Sequence, residues 1–297
     1  MIRFNDVIKT FDTVTSLDHF NMHVPAGSVY GLVGPNGAGK TTAINHMIGS
    51  YRQDSGEVLV LGEPVYENNN VKKHIVHIPD EIFYFPHATG KEMKEFYKSI
   101  YGTFSDERYA RIGEALAVDE NLPYRKLSRG MQKQVAFRIA LSLLPKVLIL
   151  DEPLDGLDPV MRRQVVSLIM EDVAETGLTV LISSHNLREL EDVCDTVGIM
   201  NKGRMMLERN LSELQDNIIK VVVSYPDQGR LPDGLEILHS EESGKLTNAI
   251  IRGRRDEVEA AVKASQPQFY DIVPLSLEEI FIYELGGADY AVKDILL

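Results

Sequence analysis

Along the first two-thirds of the chain, short unbroken apolar runs alternate with longer stretches patterned at helical spacing. Val29-Tyr30-Gly31-Leu32-Val33, Val147-Leu148-Ile149-Leu150 and Leu178-Thr179-Val180-Leu181-Ile182 are the apolar runs, with a helix expected over residues 162–175 between the last two. Runs that lack polar alternation suit strands buried on both faces of a parallel sheet. Val58-Leu59-Val60-Leu61 is a further short strand, ending in a turn at Gly62. A helical region follows. Thr89-Gly90-Lys91-Glu92 makes a capping box, and Met93, Phe96, Tyr97 and Ile100 then recur at helical intervals, a stripe expected to face the core. Two more helices are expected over residues 106–116 and 128–144, the second stopped by Pro145. Residues 197–200 and 204–207, joined by the turn Asn201-Lys202-Gly203, read as a hairpin.

From residue 216 the chain reads as a separate unit. Residues 218–224 and 249–251 are expected strands, residues 256–265 an amphipathic helix, and Ser276-Leu277-Glu278-Glu279 the capping box of another. No motif with chemical content falls in this region.

Composition narrows the setting. A chain of 297 residues, 44% of them hydrophobic, is long enough for about two globular domains. Acidic residues outnumber basic ones by 44 to 31, a net charge of −13, which argues against a nucleic-acid partner. No apolar run approaches the roughly 18 residues that span a bilayer, and the N-terminus lacks the apolar core of a secretion signal. A cytoplasmic protein is expected. The sole cysteine, Cys194, excludes an intrachain disulfide and a cysteine-based metal site. Its neighbours Leu190-Glu191-Asp192-Val193 suggest the apolar face of a helix and a buried thiol.

Gly34-Pro35-Asn36-Gly37-Ala38-Gly39-Lys40-Thr41 matches the phosphate-binding pattern GxxxxGK[ST] at every fixed position, between an expected strand and a helix that begins at Thr42. Glycines let the backbone turn its N–H groups toward phosphate oxygens, and the helix N-terminus adds partial positive charge. Lys40 would reach the β- and γ-phosphates and the Thr41 hydroxyl a Mg2+ ion. The chain is expected to bind a nucleoside triphosphate.

Four other segments bear on what happens to it. Asp151-Glu152 follows an apolar strand, where a parallel sheet presents ligands with its C-terminal edge. Asp151 would hold Mg2+ and Glu152 would polarise the attacking water, although paired acids at a strand end also occur as solvated loop residues. Leu127-Ser128-Arg129-Gly130-Met131 enters a helix, as an anion site or a plain N-cap. Ser183-Ser184-His185 ends another strand, so that His185 either contacts a γ-phosphate or is an inert surface histidine. Phe11 either stacks on a purine base or belongs to the core.

Taken together and in this order, the motifs resemble the nucleotide-binding subunit of ATP-binding-cassette (ABC) transporters. The resemblance spans residues 1 to about 215. It rests on an aromatic platform (Phe11), Walker A (residues 34–41), signature (127–131), Walker B with its glutamate (Asp151-Glu152), D-loop (Gly156-Leu157-Asp158) and switch histidine (His185). Two departures stand out. The LSGGQ signature reads LSRGM, with Arg129 for the first glycine, and Asp80 stands where the Q-loop glutamine is usual. A carboxylate at Asp80 would reach Mg2+ through water. Both departures, and the tail Pro274-Leu275-Ser276-Leu277-Glu278-Glu279-Ile280-Phe281, look like ATPase subunits of the ABC-2 exporter type, including those serving peptide export.

The resemblance implies an α/β fold: a P-loop NTPase core of the ABC ATPase kind, residues 1–215, with an inserted helical subdomain at about 80–145. A small α+β accessory domain, residues 216–297, would follow. It implies ATP with Mg2+ as cofactors, and a homodimer, or heterodimer with a related ATPase, in which two cassettes meet head to tail. Ser128, Arg129 and Gly130 of one copy would then close on nucleotide held by the other, and Asp158 would couple the two sites. A separate membrane permease would be the partner, touching a groove near residues 80–87 and holding the chain at the cytoplasmic face. Export of a peptide, drug or lipid-like substrate follows by analogy. The alternative is a soluble ABC ATPase acting as a nucleotide switch on ribosomes or DNA, and a non-hydrolysing regulatory subunit is a weaker option.

Overall fold

A computed structural model of the chain describes residues 1–226 and 230–284, so residues 285–297 of the expected accessory region lie outside the described residues. The order is β1 (Ile2–Phe11), β2 (Val14–Val24), β3 (Val29–Val33), α1 (Lys40–Met47), β4 (Ser55–Val60), β5 (Glu63–Pro64), α2 (Asn69–Lys72) and β6 (Ile75–Ile78). Helices α3 (Gly90–Ile100), α4 (Asp106–Ala115) and α5 (Arg129–Ser142) come next. Then follow β7 (Val147–Asp151), α6 (Pro159–Thr176), β8 (Thr179–Ser184), β9 (Thr196–Asn201) and β10 (Arg204–Asn210).

The unbroken apolar runs form the middle of a sheet of order β10-β9-β3-β8-β7-β6, with β6, β7, β8, β3 and β9 parallel. Every residue of β3, β7 and β8 is buried, as strands covered on both faces must be. Their register fixes what leaves the sheet together: Val33 lies opposite Ser184, and Asp151 opposite Ser183. The residues that follow β3, β7 and β8 therefore emerge at one edge. A second, antiparallel sheet, β2-β1-β4-β5, shares a core with this one. Phe4 and Phe20 meet edge to face at 5.2 Å, and Ile44 and Met47 of α1 join Leu32 and Ile149 in the same buried cluster.

Capping chemistry sets the helix ends. Ser128 caps α5 and Thr89–Glu92 closes a full capping box on α3. Helix α6 starts at Pro159, three residues before the position expected, because the Asp158 carboxylate accepts from the N–H groups of Val160 and Met161 and proline is suited to the first helical turn. Two further expectations fail. Ile100 is 59% exposed, although Met93 of the same stripe is buried: the last turn of α3 runs out of the core. Cys194 is buried as expected, but it follows a turn after a short 3-10 segment rather than sitting on a regular helix. Burial drives its thiol pKa well up, so it is an inert packing group.

The helical region is tied to the α6 side of the core by a pair between the partly buried Arg108 of α4 and the buried Asp172 of α6. The guanidinium of Arg138 lies 3.9 Å from the Tyr109 ring centre and pairs with Glu120.

At β9, Gly198 faces the fully buried Tyr30, whose hydroxyl donates to Glu208 at 2.7 Å. A Cβ on Gly198 would lie 2.2 Å from that hydroxyl oxygen, so Gly198→Ala must displace an anchored ring. We expect it to lower stability by about 1–3 kcal/mol, measured as a lower urea midpoint; an unchanged midpoint would show that the Tyr30 contact is soft.

The chain divides into two compact units, Met1–Glu208 and the residues from Arg209 onward. The second contains α7 (Leu211–Asn217), β11 (Ile218–Ser224), β12 (Glu236–Ser243), β13 (Leu246–Arg252), α8 (Arg255–Ala264), β14 (Phe269–Val273) and α9 (Leu277–Glu284). Its antiparallel sheet has the order β12-β13-β11-β14. Ile219, Val221 and Val223 alternate along β11 and pack with Ala249, Ile251, Val258 and Val262 in a separate core. The expected capping box forms, Ser276 and Glu279 bonding each other reciprocally at 3.0 and 3.3 Å.

Candidate functional site

The loop after β3 is shaped by three glycines. Gly34 passes so close to β9 that a Cβ there would lie 2.3 Å from the Met200 carbonyl oxygen. Gly37 and Gly39 have φ of 80° and 106°, in the left-handed region that favours glycine. Gly39 is the N-cap of α1 and supplies no side-chain acceptor, so the first N–H groups of that helix are left for a ligand. Pro35, Asn36, Gly37, Ala38, Gly39, Lys40, Thr41 and Thr42 line a solvent-open cleft of about 310 Å³, together with Ser16, Asp80, Asp151 and Glu152. A cleft floored by open backbone donors and a buried ammonium suits a polyphosphate.

Lys40 is 7% exposed, donates to the Gly34 carbonyl at 2.5 Å and stands 3.6 Å from Glu152 Oε1. The Thr41 hydroxyl donates to Asp151 Oδ2 at 3.4 Å, and Ser183 Oγ donates to the other oxygen of Asp151. A hydroxyl and a carboxylate facing each other across this gap are oxygen donors of the kind Mg2+ takes. Thr42 bonds Ser16 Oγ at 2.7 Å, which pins the first turn of α1 to β2.

Glu152 leaves β7 with φ of 46°, an uncommon conformation for a residue with a side chain. Its N–H donates to the carbonyl and the hydroxyl of Ser183, both at 3.2 Å. Its Oε2 lies 2.9 Å from Nδ1 of His185, which follows β8 directly. Glu152, Asp155 and His185 bring ligand atoms within 4.8 Å of one another, a cluster at the mouth of the same site.

The remaining expected residues divide into two groups. Asp80, just beyond β6, lines the cleft and pairs with Arg129, with Lys133 Nζ at 3.6 Å. Ser128 and Gly130 are not among the residues lining the cleft: Ser128 caps α5, accepting from the Met131 N–H at 3.2 Å, and Gly130 abuts the Gly156 carbonyl of the loop that carries Asp158. Asp158 is exposed as the α6 cap. Phe11 is 38% exposed, edge-on to Tyr51 at 5.4 Å with Lys9 Nζ 5.2 Å from its ring centre, so it is not a core residue.

Ser16, Ser183, Asp155 and Lys133 also belong to this site, and sequence reasoning missed them. In the sequence Ser183 reads only as part of a strand end. Lys133 sits in α5 among other charged and amide side chains and carries no motif signal of its own.

An ABC transporter family model matches residues 17–155. The chain is 28% identical to the ABC transporter ATP-binding protein YtrB of Bacillus subtilis (strain 168) over 97% of its own length and 99% of the relative's. It is 32% identical to the bacitracin transport ATP-binding protein BcrA of Bacillus licheniformis, over 97% and 98%. Among solved structures it is similar to an ATP-binding subunit of an ABC transporter, with a TM-score of 0.67 and 25% identity, covering 72% of this chain and 92% of that one. The fold also matches that of a dimeric ATP-binding cassette bound to ADP and Pi, with a TM-score of 0.64 and 21% identity, over 71% and 99%.

Proposed function

The chain belongs to the ATP-binding proteins of ABC transporters, and from that membership we propose that it hydrolyses ATP between two cassettes to drive a separate membrane permease. ATP binding and hydrolysis go with the family; the residue roles, the Mg2+ ion, the assembly and the cargo are our reading. The loop from Gly34 to Gly39 and the open N–H groups of α1 hold the phosphates. Lys40 offsets the charge that spreads over the transferring phosphoryl group. Thr41 and Asp151 would hold Mg2+, which supplies further neutralisation of phosphate charge when bound. Glu152, kept in place by Ser183 and His185, orients a water so that its oxygen attacks the γ-phosphorus as the bond to ADP breaks. Phe11, exposed and beside Lys9, offers a face to the base. The functional cassette is taken as residues 1–215, and residues 216–297 as an accessory domain.

One observation carries the dimer: Ser128 and Gly130 lie outside the lining of the cleft of their own chain. One chain has one P-loop and one signature, so a second chain must supply the missing half, whether an identical copy or a related ATPase. Asp158, on the loop that abuts Gly130, would couple the halves. Light scattering tests this. Glu152→Gln with ATP is expected to double the mass of the purified subunit if the second cassette is an identical copy; monomer at every ATP concentration, with permease and any co-purifying related ATPase present as well as absent, would overturn the two-cassette site.

The permease contact is assigned to residues 80–87. Phe83 and Phe85 there are 55% and 42% exposed beside an apolar groove between α3 and α5. No described helix is long and apolar enough to cross a membrane, so attachment to the cytoplasmic face would run through that partner. Likeness to BcrA supports export of a peptide antibiotic or a similar amphiphile. A nucleotide switch on ribosomes or DNA is disfavoured by the net charge of −13.

A further inference from the structure

We propose that Lys133 is a positioning residue for hydrolysis: its buried ammonium joins the Asp80 wall of the phosphate cleft to the backbone carbonyl of Glu152. The inference rests on the role given to Glu152 above. Lys133 is fully buried, its Nζ donates to the Glu152 carbonyl at 2.6 Å, and Asp80 Oδ1 lies 3.6 Å away. Burial lowers its pKa, and Asp80 acts against that shift. An ammonium without solvent demands partners, and the Glu152 carbonyl and the Asp80 carboxylate, with the Asp155 charge nearby, are ones it meets at the cleft.

The contact falls where the backbone needs it. At φ 46° Glu152 occupies a sparsely populated region, and a residue stays there only if its surroundings hold it from several sides. Ser183 bonds its N–H and Lys133 its carbonyl, so the peptide groups on both sides of the Glu152 Cα are fixed. The side chain is thereby aimed toward Lys40 and His185. Lys133 also lies three residues beyond Gly130, within one turn of helix α5. The helix that offers its N-terminus to a partner cassette is therefore tied to the backbone of the water-orienting residue of its own chain. Arg129 meets the same Asp80 oxygen, so the two unusual residues, Asp80 and Arg129, form one charge cluster with Lys133.

The test is Lys133→Met, which keeps length and removes both charge and donor, with Asp80→Ala beside it. Each is measured for ATPase kcat and KM at saturating Mg2+, for affinity toward a fluorescent ADP, and for melting temperature. Lys133→Met is expected to lower kcat by about 10- to 100-fold, the scale of a misplaced catalytic group, with the ADP Kd changed less than about threefold and folding retained. Asp80→Ala, at a site 38% exposed and so tolerant of truncation, is expected to lose at least about fivefold in kcat even at saturating Mg2+. It carries the test if Lys133→Met does not fold. Parental kcat in the folded Lys133→Met protein, or in Asp80→Ala, overturns the proposal, as does a fall in ADP affinity and melting temperature in step with kcat. If Glu152→Gln itself kept full turnover, the premise would fail instead, which separates the two ideas.

Discussion

Glu152→Gln is expected to reduce ATP turnover by about 10²–10⁴-fold while leaving ATP binding within a few-fold of the parent. The amide keeps the size of the side chain and can still meet His185 Nδ1, now 2.9 Å from the carboxylate, through one of its polar atoms. What it loses is the negative charge that attracts and orients a water proton. The backbone contacts to Ser183 and Lys133 do not involve the carboxylate and should persist. Binding and chemistry therefore separate, and single-turnover measurement alongside ATP titration reads both. Parental turnover in this variant would remove Glu152 from its assigned role and leave Asp155 or His185, its neighbours in the cluster, as the groups to test next.

Lys40→Ala should act on both binding and chemistry. The ammonium is nearly sealed from solvent, and its contacts in the described structure, the Gly34 carbonyl and Glu152, leave donor capacity directed at the cleft. Charge-assisted hydrogen bonds of this kind contribute about 1.5–3 kcal/mol, so ATP affinity should fall by roughly 10- to 150-fold. Loss of transition-state stabilisation should add about 10²–10³ in kcat. Calorimetric titration with ATP gives the first figure and steady-state turnover the second. An unchanged Kd would mean that the backbone cradle alone holds the phosphates.

Much of this site is legible in the amino-acid sequence, for a physical reason. Phosphate binding needs glycine at fixed positions, and the apolar runs before Gly34, Asp151 and His185 are interior strands of a parallel sheet, whose ends must share an edge. Motif spacing then adds identity to placement. Lys133 was illegible because a lysine in a helix ordinarily marks a solvated face; only packing turns it inward. Asp80 and Arg129 were each noticed as odd, yet nothing in a linear sequence says that they meet. In the second unit, β11 is legible to its last residue because β-branched Ile and Val fill it on both sides of Lys220. β12 is not, since its residues are mostly exposed and polar and its pairing with β13 shifts register, which blurs alternation. The helix expected over residues 162–175 begins earlier, at Pro159, where Asp158-Pro159 is a plain N-terminal signal.

Among the described residues, each compact unit holds a hydrophobic cluster of its own. The cluster around Phe4 and Ile44 lies in the first unit and the one around Val221 and Val258 in the second, and a calorimetric trace with two transitions is the expected result. A van't Hoff analysis that assumes a lone transition would then underestimate the heat absorbed. ATP, bound at the P-loop of the first unit, is expected to raise that unit's midpoint by mass action.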